Sequence, residues 1–87
     1  MRPYIEQVEK NYTIRDFSKH TSSMELTWHR DKEDRWIEPL HSSDWKFQLD
    51  NKTPVSISKI FIPKGTYHRL IKGTGDLKLK VIKCKTS

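Results

Sequence analysis

The sequence predicts a small, single-domain, all-β protein. Three observations carry that reading. Apolar and polar residues alternate with period two in short stretches such as Leu77-Lys78-Leu79-Lys80-Val81, the pattern of a half-buried strand. These stretches recur at roughly ten-residue spacing, separated by clusters of Ser, Asp, Asn, Pro and Gly, as in a small barrel or sandwich. No long segment carries the helical period. With 87 residues, of which 33% are hydrophobic, the core must be compact, and the aromatic residues, three Trp among them, make bulky side chains available to it.

Taken in order, residues 1–22 are polar and read as an N-terminal arm packing on the domain or on a partner chain. Ile5 and Val8 fit one face of a helical turn, and Tyr12-Thr13-Ile14-Arg15 fits a short strand. A loop over 18–23 opens the main domain, residues 23–87. Met24 to Asp31 alternates, with Met24, Leu26 and Trp28 on one face and Glu25, Thr27, His29 and Asp31 on the other. After a charged bend, Lys32-Glu33-Asp34, comes a strand through Arg35-Trp36-Ile37-Glu38, which Pro39 ends because it cannot donate to a ladder. Strands follow at Trp45–Asp50, Val55–Ile57, Ile60–Ile62 and around Leu70, and Leu77–Val81 closes the chain.

Composition narrows the function. No apolar run of about 18 residues exists, so no membrane span is expected. The stretch Met1-Arg2-Pro3-Tyr4-Ile5-Glu6 lacks the apolar segment of a signal peptide. Cys84 is the only cysteine, which excludes a disulfide framework and fits a reducing cytoplasm. The net charge is +6, with Lys72, Lys78, Lys80, Lys83 and Lys85 set against Asp76 alone near the end. A basic domain can bind nucleic acid. Here the alternation assigns these lysines to the solvent face of an edge strand, where they block pairing with other chains. The aromatic residues are not interleaved with them in sequence, so nucleic acid is not an expected partner.

Chemistry concentrates in two stretches. In Pro63-Lys64-Gly65-Thr66-Tyr67-His68, Gly65 supplies the positive φ of a type II turn, and His68 enters the next strand three residues later. His29 and Asp31, two apart on a strand, share a face that can meet His68. Two imidazoles and a carboxylate suit a divalent metal such as Zn, Fe, Mn or Ni. His29-Arg30-Asp31 also spells part of a kinase catalytic loop, but the downstream Asn and the glycine-rich loop are absent.

These two stretches resemble the paired motifs of the cupin superfamily. Pro63, Gly65 and His68 fit the second motif, P-x-G-x-x-H. In the first, H-x-H followed after three or four residues by Glu, His29 takes the first position, Asp31 the second, and Arg35 the glutamate position, with Asp34 one residue early. The stretch from Trp28 to Arg35 and the ending from Pro63 to Val81 are similar, more narrowly, to small stand-alone cupin-like proteins of marine bacteria and phages. The resemblance covers roughly residues 24–83 and implies a cupin-like, jelly-roll β-barrel, commonly a homodimer, whose inner face binds a metal. Family members range from dioxygenases and isomerases to ligand-binding and storage proteins. Carried onto this chain, it supports His29 and His68 as ligands and Asp31 as a substitute ligand, with Asp34 as a further candidate. Arg35 contradicts the pattern, because a guanidinium stays protonated and repels a cation.

The sequence therefore favours a polar pocket lined by His29, Asp31, Arg35 and His68 that binds a small, anionic molecule. A metal-dependent isomerase, epimerase or dioxygenase using His29, Asp31 and His68 is the alternative, and a basic nucleic-acid or acidic-partner binder is the third. With His29 facing inward, Met24, Leu26 and Trp28 are expected to form an outward stripe covered by the arm or by a second chain.

Overall fold

The computed structural model describes residues 3–84. Among these residues the chain forms β1 (Ile5–Val8), β2 (Thr13–Phe17), β3 (Arg35–Pro39), β4 (Lys46–Leu49), β5 (Val55–Ser56), β6 (Ile60–Ile62), β7 (His68–Ile71) and β8 (Leu77–Lys83). One 3-10 turn, Ser23–Glu25, interrupts them. The strands build two antiparallel sheets, β1-β2-β8-β3-β6 and β5-β4-β7. The all-β jelly-roll expectation holds, but lateral hydrogen bonds do not close the sheets into a barrel. The chain shows why at residues 57–59: β5 and β6 are consecutive and very short, yet pair into opposite sheets. The segment between them crosses the sandwich without extending either ladder.

The core sits between the sheets. Strict alternation on β8 turns Leu77, Leu79 and Val81 inward, where they meet Ile37 and Ile62 of the same sheet and Trp45 and Phe47 of the other. β8 is a central strand, flanked by β2 and β3 over five residue pairs each. Its outward lysines therefore do not guard a free edge, which corrects the edge-strand expectation.

Residues 1–22 were expected as an arm. Within it, Ile5–Val8 forms a strand instead of a helical turn and pairs with β2, and β2 pairs with β8. The amide of Glu9 donates to the Tyr12 carbonyl at 2.9 Å and closes this hairpin. Cross-strand bonding, which no local pattern reveals, decides that outcome.

Met24 to Asp31 also departs from expectation. The Ser22 hydroxyl accepts the Met24 amide at 3.2 Å and caps the 3-10 turn, a local alternative that competes with strand pairing. Leu26 turns into the core, whereas Met24 is 87% exposed. Trp28 lies on an outer surface beneath Arg69, 4.6 Å from ring centre to guanidinium. The expected Met24-Leu26-Trp28 stripe therefore does not form.

The loop before β4 is fixed to the loop before β8. The Asp44 carboxylate accepts the Thr74 amide at 2.9 Å and the Thr74 hydroxyl at 2.7 Å, and these bonds lower its pKa. Gly73 packs so closely on Asp44 that a Cβ there would lie 2.8 Å from the Asp44 carbonyl carbon. Among the described residues, no helix is long and apolar enough to cross a membrane.

Candidate functional site

Two distant segments meet at one end of the smaller sheet. His29 and His68 exchange both backbone bonds, N to O at 3.0 and 2.8 Å, in an isolated antiparallel bridge. Directly opposed residues of such a pair send their side chains to the same face. The two imidazole rings lie 4.3 Å apart, edge to face, with the Phe47 ring 5.7 Å from that of His68.

The turn that aims His68 is the one expected from sequence. Gly65 takes φ +77°, and the Thr66 amide returns to the Pro63 carbonyl at 3.3 Å. The same turn grips the other segment, because the Gly65 amide donates to the Asp31 carbonyl at 2.8 Å. The Lys64 amide donates to the Asp34 carboxylate at 2.7 Å. That bond turns Asp34 toward the turn, so this further candidate does not join the cluster. His29, Asp31 and His68 do come together, their candidate ligand atoms all within 4.8 Å of one another.

Proton positions follow from the partners. Nδ1 of His68 lies 2.8 Å from the Thr66 carbonyl, and Nδ1 of His29 lies 3.2 Å from the Thr27 carbonyl. A carbonyl only accepts, so each Nδ1 carries the proton, and a neutral ring keeps a lone pair on Nε2. Burial lowers the His68 pKa below its ordinary 6.5, and the nearby His29 adds to this. The hydrogen bond to Thr66 and the Asp31 charge oppose the shift but do not reverse it. His68 is therefore neutral near pH 7.

Its Nε2 faces Asp31 Oδ2 at 3.3 Å. That oxygen is buried and accepts no hydrogen bond. Two lone pairs thus confront each other with no proton between them. Asp31 Oδ1, by contrast, is held by Arg35 Nη1 at 3.3 Å.

Arg35 is committed elsewhere as well. Its Nη2 and Nε reach Glu33 Oε1 at 2.9 and 3.2 Å. The guanidinium therefore lies between two carboxylates. Lys83 Nζ stands 4.0 Å from the same Glu33 oxygen, so Glu33 is shared by two basic groups. Glu33 was read only as part of a charged bend. It lies in the bend before β3, so no strand periodicity placed it beside Arg35.

An open cavity of about 480 Å³ extends from this cluster between the sheets. Its walls are largely apolar, including Phe47, Ile62, Leu70 and Val81, and Arg15 also lines it. Arg15 is not free either: Nε bonds Glu6 at 2.9 Å, and its guanidinium lies 4.5 Å from the Tyr4 ring centre.

The lowered pKa has a consequence for stability in the metal-free protein. The unfolded chain takes up the His68 proton near pH 6.5, before the folded one does, so stability rises with pH in that window. The contribution is complete above about pH 6.5 and is lost as pH falls from there toward the lower folded value, by at most roughly 1.4 kcal/mol per pH unit. Urea denaturation between pH 5 and 7.5 should show this slope. A flat profile would contradict the neutral, buried assignment.

The donor set can be tested against the metal that the resemblance implies. Two ligands bound to one tetrahedral ion at about 2.0–2.2 Å stand about 3.3–3.6 Å apart, and Nε2 of His68 and Oδ2 of Asp31 already have that spacing. Two imidazoles and one carboxylate on one face, with room on the cavity side, form the set used by many divalent transition-metal sites. The residues fit.

Solved structures supply the fold comparison. A cupin domain from Bordetella pertussis superposes with TM-score 0.66 at 16% identity, covering 99% of this chain and 98% of that one. HppE with Co(II), in complex with Tris buffer, superposes with TM-score 0.72 at 14% identity over 97% of this chain and 55% of that one. Bacillus subtilis oxalate decarboxylase, described for its Mn(II) centres, gives TM-score 0.53 at 13% identity over 97% and 28%. No protein-family model matches the sequence, and no curated protein matches it. At these identities the likeness speaks for architecture alone. The chain has the fold of a cupin domain, as the Pro63–His68 turn and the two facing sheets imply.

Proposed function

We propose that His29, Asp31 and His68 hold a divalent transition-metal ion, and that the apolar cavity beside it receives a small molecule. The observation that carries this reading is Asp31 Oδ2: buried, without a donor, and 3.3 Å from the lone pair of a neutral histidine. A buried carboxylate oxygen left so is costly, and a shared cation removes the cost. A bound divalent ion would supply a Lewis-acidic centre open toward the cavity. This chain's own residues orient that centre. Thr66 and Thr27 fix the two ring tautomers, and Arg35 holds the outer oxygen of Asp31.

The reading moves emphasis away from an anionic ligand, because Arg35 is already shared by Asp31 and Glu33. The Mn(II) and Co(II) in two proteins of the same fold make Mn, Fe, Co, Ni and Zn the ions to try. An isomerase, epimerase or dioxygenase type of reaction fits the same three residues.

Elemental analysis of protein purified without an affinity tag should find close to one transition metal per chain. After chelation, adding the ion at a hundredfold excess over its Kd should stabilise the fold by about 2.7 kcal/mol. Metal-free protein with no thermal shift from any of the five ions would sink the proposal.

A further inference from the structure

The outer face of the five-stranded sheet, opposite the cavity, carries a row of large rings. Trp36 on β3 is in register with Phe61 on β6 and with Ile82 on β8. The residues beside them, Ile37, Ile62 and Val81, are buried, so alternation turns the row outward, where Trp36 is 36% and Phe61 39% exposed. The two rings stand 5.1 Å apart. Tyr12, immediately before β2, continues the row toward β1.

Lysines are interleaved with these rings. Lys59 Nζ lies 5.4 Å from the Trp36 ring centre, and Lys80 Nζ lies 4.5 Å from that of Tyr12. Lys78, next outward on β8, is 3.6 Å from Asp16 in a solvent-exposed pair. Glu38 stands opposite Lys80 in the β3–β8 register. Basic and aromatic residues that are separate in sequence are thus brought together because β8 pairs between β2 and β3. The lysines are not explained by edge protection, since β8 has no free edge.

The chemistry of this face suits one class of occupant. Any nucleobase offers a flat π surface to an exposed ring, and phosphates take up ammonium groups without sequence preference. Sheets that display aromatic rings on adjacent strands bind single strands this way. A second copy of the chain is a poorer fit, because the apolar row is one side chain wide and bordered by charge. A stable protein interface needs about 800 Å² per partner with an apolar centre. The chain's net charge of +6 favours a polyanion.

We infer that this sheet face binds single-stranded nucleic acid, with bases stacked on Tyr12, Trp36 and Phe61 and phosphates on Lys59, Lys78 and Lys80. The site lies on the other side of the sheet from the metal cluster and does not depend on it.

The test is titration of a ten-nucleotide oligo(dT) at about 50 mM salt, followed by anisotropy of a label on the oligonucleotide. Binding should occur and should weaken with salt with a slope near −2, as about three phosphate contacts on a single strand predict. Trp36→Ala and Phe61→Ala should each weaken it about 5- to 100-fold, whereas Trp36→Phe should retain most of it. Lys59→Glu with Lys80→Glu should abolish it, while a chelator should leave it unchanged. The substituted positions are on the surface, and circular dichroism of each variant checks the fold. No binding at low salt, or binding indifferent to Trp36→Ala and to the lysine reversals, would overturn the inference. So would finding that the same substitutions instead abolish binding to phosphatidylglycerol vesicles, or break a dimer, with oligo(dT) unaffected.

Discussion

Replacing Trp45 with Ala should remove about 3–5 kcal/mol of stability, the range for truncating a fully buried Trp. Trp45 is 0% exposed and packs its ring 5.7 Å from Phe17, joining the short sheet's entry to the end of β2. Its Nε1–H donates to the Gly75 carbonyl at 2.7 Å, and its backbone amide donates to the Ser43 hydroxyl at 3.0 Å. One side chain therefore ties the loop before β4 to the loop before β8. A domain of this length has a net stability near the low end of the usual 5–15 kcal/mol, so the variant should be largely unfolded at physiological temperature. Trp45→Phe separates the two contributions. It keeps most of the packing but leaves the Gly75 carbonyl without its donor, at about 1–3 kcal/mol. Urea denaturation of both variants measures this, and a Trp45→Ala loss under about 1 kcal/mol would mean that the core collapses onto the gap.

Asp31→Asn should separate metal binding from folding. The amide has the shape of the carboxylate, and its Oδ1 still accepts from Arg35. At the Oδ2 position an Nδ2–H would now point at the His68 lone pair 3.3 Å away and replace a lone-pair conflict with a hydrogen bond. Arg35 loses one charged partner but keeps Glu33 at 2.9 Å. These changes oppose each other, so the metal-free stability should move by less than about 1 kcal/mol. Affinity for the metal should fall by more than the 10- to 100-fold typical of an outer-shell substitution. Calorimetric titration with Zn(II) and Mn(II), beside thermal melts without metal, reads both effects. A large loss of metal-free stability with unchanged affinity would make Asp31 a partner of Arg35 and nothing more.

The contrast between legible and hidden features has a physical origin. The turn at Pro63–Thr66 was legible because Gly65 needs only its own φ, and the β8 face because alternation is local. Asp31 and Arg35, both assigned to one pocket from sequence, do meet there. Other features depend on which strands pair, and residues far apart in the chain decide that. Ile5–Val8 lacks a strand signature of its own and becomes extended only against Thr13–Asp16. The position of β8 in mid-sheet, the split of β5 and β6 between two sheets, and the meeting of Lys59 with Trp36 have the same cause. Met24 to Trp28 failed for the opposite reason, since a single serine hydroxyl outcompeted the alternating pattern.

The His29–His68 bridge joins segments from the first and last thirds of the chain. Contacts across so long a loop are expected to close late in folding, because chain entropy must be lost before they give anything back. An occupant that clamps the two imidazoles would then act mainly after the rate-limiting barrier. It would lengthen the lifetime of the native state while leaving the refolding rate almost untouched. Durability in a cell would then track supply of the occupant, and the empty form would be the one exposed to proteases.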